Sequence, residues 1–404
     1  MSQRYPGGLI SRSAPVVVGP TGSPPEGGSA PGIWTLEQAA GYIKQGLWPK
    51  PVIPRELYAW GQNNFGQLGI NTTTNLSSPV QVGSLSAWSQ LSSGGYFSAV
   101  ITTAGTLFAW GKNNYGQLGQ NNTINRSSPV QVGALTTWSK VSTGKDHCVA
   151  VKTDGTLWTW GAGFFGQLGH NDGENKSSPV QVGSLTNWSQ VSANSSNICA
   201  AITTNGTLFT WGQNYFGNLG HNNRIYRSSP VQVGALTTWS QVSAGRPFSA
   251  AITTSGTLFT WGYNGAGNLG QNNTINRSSP VQVGVSNNWA QVSAGKYHCA
   301  AITTSGTLFT WGINANGQLG QNNLIYKSSP TQVGALTTWS KISAGRPFCI
   351  SIKTDKTLWG WGYNSGGQLG NNSTANQSSP VQIGSLAAWS SISAGSYHTI
   401  AIKN

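Results

Sequence analysis

The side chains able to do chemistry are few, and they recur at fixed places. His147, His298 and His398 occupy one position of a recurring pattern in which other copies carry Phe97, Phe248 and Phe348, while His170 and His221 stand in Asn-rich stretches. A position that accepts phenylalanine is a packing position, so no general acid or base is expected there. Cys148, Cys199, Cys299 and Cys349 share another position with Ser98, Ser249 and Thr399, and no CxxC pair exists. A required disulfide or zinc ligand would not tolerate serine, so these read as small core residues. Asp172 and Glu174, in "HNDGENKSSP", are a close acidic pair that lacks the remaining ligands of a calcium loop. No catalytic, metal or cofactor-binding residue is expected, and the chain is not expected to be an enzyme.

What remains is charge. There are 22 Lys and Arg against 8 Asp and Glu, a formal balance of +14. Lys145, Arg246, Lys296 and Arg346 fall in one connection of the repeat, and Arg126, Lys176, Arg227, Arg277 and Lys327 fall in another, just before "SSP". Interspersed with Tyr226, Tyr297, Tyr326 and Tyr397, these nine cations could receive a sulfated, phosphorylated or carboxylated polymer. The same array could equally be a solvated rim. No groove-entering helix accompanies it, so nucleic acid is not the expected partner.

The elements that position these cations come from self-similarity. Trp-Gly begins at Trp60, Trp110, Trp160, Trp211, Trp261, Trp311 and Trp361, a period of 50 residues with one step of 51. The added residue lies in "SANSSNICAAIT", Ser192 to Thr203, and a second tryptophan keeps step from Trp88 to Trp389. Each copy offers four short strands of the types "WSQVS", "AAITT", "TLFTW" and "SPVQVG", joined by Gly- or Asn-rich connections, with Asp154 as a turn residue. Gly at 54 residues, Trp at 18 and only 7% charged residues suit many short strands and tight turns. The reading is an all-β, seven-bladed β-propeller of four-stranded blades over 54–404, preceded by an arm over 1–53. A ring of sheets must close, because each blade buries its faces only against neighbours. "ELYAWG", Glu56 to Gly61, lacks its preceding hairpin partner, and "TIAIKN" at the chain end lacks its following one. Thr399 to Lys403 should therefore pair antiparallel with Glu56 to Trp60. Successive connections alternate between the two faces of the disc. Both sets of cations then fall on one face, and the ends of the propeller on the other.

The run "VSAGKYHCAAITTSGTLFTWGINANGQLG", Val292 to Gly320, resembles the repeat of the regulator of chromosome condensation family. That resemblance covers about 54 to 404 and implies a seven-bladed propeller with strand sharing at closure. It also implies, as one cellular alternative, a scaffold or exchange-factor-like protein that binds a GTPase or chromatin. The blades here are almost uniform and lack an evident wedge insertion.

Residues 1–53 break the period and are rich in Pro, Gly and Ser. "TLEQ" from Thr35 has the capping-box form, and Gly46 and Pro49 supply stop signals, which predicts one short helix over about 36–45. Trp34, Leu36, Tyr42, Ile43, Leu47 and Trp48 give it an apolar surface suited to anchoring. "YPGGLISRSAPVV" followed by "GIWTLEQAAGYIKQGLWP" resembles amino-terminal segments of virion proteins of tailed bacteriophages. That implies attachment to other virion proteins through the arm, with the propeller displayed as a tail fibre, spike or capsid decoration toward a host-surface polysaccharide or protein. On this reading the protein is located in the virion; on the cellular alternative it is cytoplasmic. No stretch is apolar for long enough to serve as a signal-peptide core or to enter a membrane, and a homo-oligomer is left open.

Overall fold

Apolar alternation in short runs, punctuated by glycine, builds strands that cannot stand alone and must stack. In a computed structural model the chain divides into two units, Met1–Pro54 and Arg55–Asn404. The structure describes Lys44, residues 54–193 and residues 197–404. The predicted helix over about 36–45 (apart from Lys44, which is helical and exposed), the anchoring residues Trp34, Leu36, Tyr42, Ile43, Leu47 and Trp48, and the residues around the inserted position all lie outside the described residues.

The second unit is seven four-stranded antiparallel sheets. In a representative sheet, Trp289–Ala294, His298–Thr303, Leu308–Gly312 and Lys327–Gln332 follow one another from the channel outward. The seventh sheet orders Leu76–Gln81, Glu56–Gly61, His398–Lys403 and Trp389–Ala394, so the two ends of the propeller share one blade. Its register runs from Glu56 opposite Lys403 to Trp60 opposite Thr399, as the clipped copies require. The Lys403 ammonium lies 3.6 Å from the Glu56 carboxylate at the end of that seam. The outer strands start two residues before the expected "SPVQVG", and all but Gln377–Ala387, which runs on, stop before its final Val-Gly, where a glycine such as Gly133, at φ 61°, turns the chain.

Blade-to-blade bonding repeats at three radii and closes each time. On the inner strands, the hydroxyl of a serine accepts the backbone N–H of the next blade, from Thr143 N to Ser92 Oγ at 2.9 Å round to Ser93 N to Ser393 Oγ at 2.9 Å. On the third strands the indole N–H of each Trp-Gly tryptophan donates to the preceding blade, as Trp110 does to Gln67 O at 2.9 Å and Trp60 to Gln368 O at 3.0 Å. At the outer strands an Asn N–H donates to a serine carbonyl of the next blade, as in Asn71 to Ser127 and Asn372 to Ser77, both at 2.7 Å. The seven Trp-Gly tryptophans are fully buried. At about 150–250 Å² each, their rings contribute on the order of 4–6 kcal/mol apiece before entropy is subtracted. The final glycine of "GQLG" makes room for this indole: Gly69 sits at φ 72°, and a Cβ there would lie 2.6 Å from Trp110 Nε1.

Candidate functional site: the basic mouth of the central channel

The register puts both basic connections at one edge of every sheet. Gly312, the end of a third strand, faces His298 at the start of the second strand and Lys327 at the start of the outer strand. The turn that holds Lys296 and the loop that ends at Lys327 therefore share a face, and the seam end at Glu56 and Lys403 lies on the other.

On the basic face, the inner strands end in a collar. The residue after the turn glycine donates its N–H to the glycine carbonyl of the next blade: Arg246 to Gly295 at 3.0 Å, Lys296 to Gly345 at 3.4 Å, Arg346 to Gly395 at 3.3 Å, Ser396 to Gly94 at 3.1 Å. The turn glycine is required by the ring behind it, since a Cβ at Gly345 would meet Phe348 Cε1 at 2.5 Å. The collar surrounds a cavity of about 190 Å³, into which Arg246, Lys296 and Arg346 project from three consecutive blades. Each is half-buried, and among the described residues none of the three forms an ion pair. Burial first, and then the neighbouring Arg346, pull Arg246 below the ordinary arginine range. Burial and then the two arginines do the same to Lys296. Aromatic faces flank the cations, with Lys296 Nζ 5.3 Å from the Tyr297 ring and the Arg346 guanidinium 5.5 Å from the Tyr397 ring. Tyr397 also meets Tyr96 at 5.9 Å and Tyr363 at 6.4 Å.

The other six cations are not gathered there. Lys145 is exposed and lies 3.8 Å from Asp146, whose carboxylate also takes Lys112 at 3.1 Å. Lys176 is engaged by Asp172 at 3.2 Å and Glu174 at 2.9 Å, so the lone acidic pair of the long loops serves its neighbouring lysine. Arg126, Arg227, Arg277 and Lys327 begin outer strands at the rim, half-buried, with Tyr226 and Tyr326 exposed in the adjoining loops.

The histidines and cysteines are structural in their surroundings. His147, His298 and His398 are completely buried, and burial pushes them down to about 4, about 4 and about 3. His398 Nε2 lies 3.0 Å from Ser98 Oγ, and His298 Nε2 lies 3.4 Å from Cys349 Sγ, each across a blade interface. All four cysteines are buried and unpaired, with thiols pushed up by burial. Asp154 accepts from Thr156 N at 2.9 Å as a turn residue.

Two features escaped the sequence reading. The inner-strand serine of the interblade ring recurs in all seven copies, at Ser92, Ser142, Ser192, Ser243, Ser293, Ser343 and Ser393, and that internal constancy was the available signal. The opposite face carries an exposed apolar ring, Leu85, Leu135, Leu185, Leu236, Leu336 and Leu386 with Val285, legible in the recurring Gly-Ser-Leu and Gly-Ala-Leu.

A model of the RCC1-like domain matches residues 183–404. Models of the regulator of chromosome condensation (RCC1) repeat match residues 56–101, 104–151 and 154–201, and residues 88–117 and 138–167. No curated protein matches the sequence. Among solved structures, Prp20p from Saccharomyces cerevisiae superposes with a TM-score of 0.78 at 17% identity, covering 87% of this chain and 92% of that one. Human WBSCR16 gives 0.78 at 19% identity, with 87% and 99% covered. Yeast RCC1 (Prp20) bound to Kap60 gives 0.77 at 16%, with 87% and 89% covered. These likenesses are likenesses of fold.

Proposed function

The chain belongs to the family of RCC1-like domains, and from that premise we propose that it is a non-enzymatic binding scaffold that docks an acidic protein surface on its basic, aromatic face. The observation that carries this is the convergence of Arg246, Lys296 and Arg346, with no carboxylate paired to them among the described residues. Cations left uncompensated in a partly buried position attract an anionic partner and are stabilised by it. One neighbour in fold, solved twice, supports a protein partner: one Prp20 structure is described with its binding to Gsp1p and histones, and the other is a complex with Kap60. A non-enzymatic role is supported by the burial of His147, His298 and His398 and of all four cysteines, which keeps these groups from a substrate.

The test is retention of the full chain on immobilised poly-glutamate across a salt series. Retention should fall steeply with salt and be lost in Arg246→Ala/Lys296→Ala/Arg346→Ala. Salt-insensitive retention, or retention unchanged by that variant, refutes the docking face.

A second setting, a virion appendage held by residues 1–53, rests on the sequence of the arm, which lies outside the described residues. It uses the same face for a host-surface polysaccharide or protein. The family and the fold neighbours support the cellular scaffold instead. Removing residues 1–53 separates the two: loss of incorporation into particles would favour the appendage, and unaltered partner binding without particle association the scaffold.

A further inference from the structure

The channel mouth holds more than a diffuse positive field. Ser243, Ser293 and Ser343 line the cavity near the ends of the inner strands, three residues before Arg246, Lys296 and Arg346 in the turns that follow. Each hydroxyl accepts a backbone N–H from the next blade: Ala294 to Ser243 at 2.9 Å, Ala344 to Ser293 at 2.8 Å, Ala394 to Ser343 at 2.9 Å. A hydroxyl has one hydrogen to donate and two lone pairs, so accepting leaves the hydrogen to give. Among the described residues none of the three serines gives it to a protein acceptor. The ring of interblade bonds therefore holds three oxygens in place while leaving their O–H groups free to turn into the cavity.

The charges at this place have no internal answer. The carboxylate in the corresponding turn of another blade, Asp146, is occupied by Lys112 and Lys145. Arg246 and Lys296 face one another in an isolated backbone bridge, and Arg346 follows in the next blade. Three cations that share a half-buried cavity repel one another and lose hydration, and an anion between them relieves both. The cavity of about 190 Å³ is many times the ~10–15 Å³ that admits one water, so an oxyanion with bridging waters fits.

We infer that the mouth of the channel is a built site for a single phosphate-type oxyanion, held through its charge by Arg246, Lys296 and Arg346 and through its oxygens by the hydroxyls of Ser243, Ser293 and Ser343. This deepens the reading of the basic face as a binding surface. The group can be free phosphate or a phosphoryl group carried by a docked peptide.

Calorimetric titration of inorganic phosphate into the full chain at low ionic strength tests it. One site per chain is expected, with affinity reduced by about tenfold or more in Arg246→Gln/Arg346→Gln, the loss of charge-assisted bonds each worth a factor of that order. Lys296→Met should act in the same direction, and Arg126→Ala/Arg277→Ala, at the rim of the same face, should leave the site unchanged; unaltered thermal midpoints establish that all variants are folded. A phosphoserine peptide with neutral flanks that binds about tenfold more tightly than phosphate assigns the anion to a partner, and equal affinity assigns it to the free ion. Absence of phosphate binding, or an equal loss in the rim variant, overturns the site. Phosphate binding at the mouth with poly-glutamate retention indifferent to the cations would sink the docking face and leave this site standing; the reverse would sink the site alone.

Discussion

Three histidines sealed between blades make the ring acid-sensitive in a pH window of its own. His147 and His298 are held at about 4 and His398 at about 3, against an unfolded value near 6.5. Between those limits the unfolded chain binds protons that the folded chain refuses, so stability is full above pH 6.5 and falls as the pH drops toward 4. At about 1.4 kcal/mol per pH unit of separation, the loss is ~3 kcal/mol at each of His147 and His298 and ~5 kcal/mol at His398. Together these are on the order of 10 kcal/mol, comparable to the whole stability of an ordinary domain. Phenylalanine is the matched replacement, because Phe97, Phe248 and Phe348 fill the same position in other blades with no exposure. Of the partners left behind, Ser98 still donates to Gln67 O at 2.9 Å and Cys349 to Gln318 O at 3.6 Å, while Lys296 O gives up its contact with His298 Nδ1 at 3.2 Å. Urea unfolding followed by tryptophan fluorescence from pH 7.5 to 4.0 should show the wild type losing stability at up to about 4 kcal/mol per pH unit where all three titrate. His147→Phe/His298→Phe/His398→Phe should lose most of that slope, the remainder coming from His170 and His221, which burial also lowers. Asp154 and Asp355, lowered by their threonine hydrogen bonds, add their losses only in the more acidic carboxylate range. Parallel pH profiles for the two proteins would refute the reasoning.

Ser142→Ala removes the acceptor of Ala193 N, at 2.9 Å, from the inner ring and should cost about 1 kcal/mol in urea unfolding, with phosphate binding unchanged because the turn after that strand gives the cavity no cation, its Lys145 lying beside Asp146. Lys356 takes φ 65° at a hairpin turn where other blades use glycine, such as Gly105 at φ 79°; Lys356→Gly should raise the thermal midpoint, gaining about 1 kcal/mol by relief of the left-handed conformation.

Most of the architecture is legible in the sequence. The tryptophan period dictates the blade count, and the half-copies "ELYAWG" and "TIAIKN" dictate the closing register from Glu56–Lys403 to Trp60–Thr399. The exchange of His with Phe and of Cys with Ser or Thr foretold burial at those positions. These are local matters, since turn chemistry and strand alternation act within one repeat and the repeat says the same thing seven times. Parity also put both basic connections on one face.

The sequence by itself thus determined the ring, its closure and the side on which its cations lie. Only the tertiary structure decided which cations matter. Lys145 and Arg246 look equivalent in the repeat, yet Lys145 meets Asp146 and Arg246 meets two further cations. Neutralisation depends on partners one blade away, as Lys112 is from Asp146, and convergence on the channel depends on curvature that no single repeat contains. Electrostatic energy falls with distance in space, and only closing the ring converts separations of some 50 residues into neighbours around one cavity.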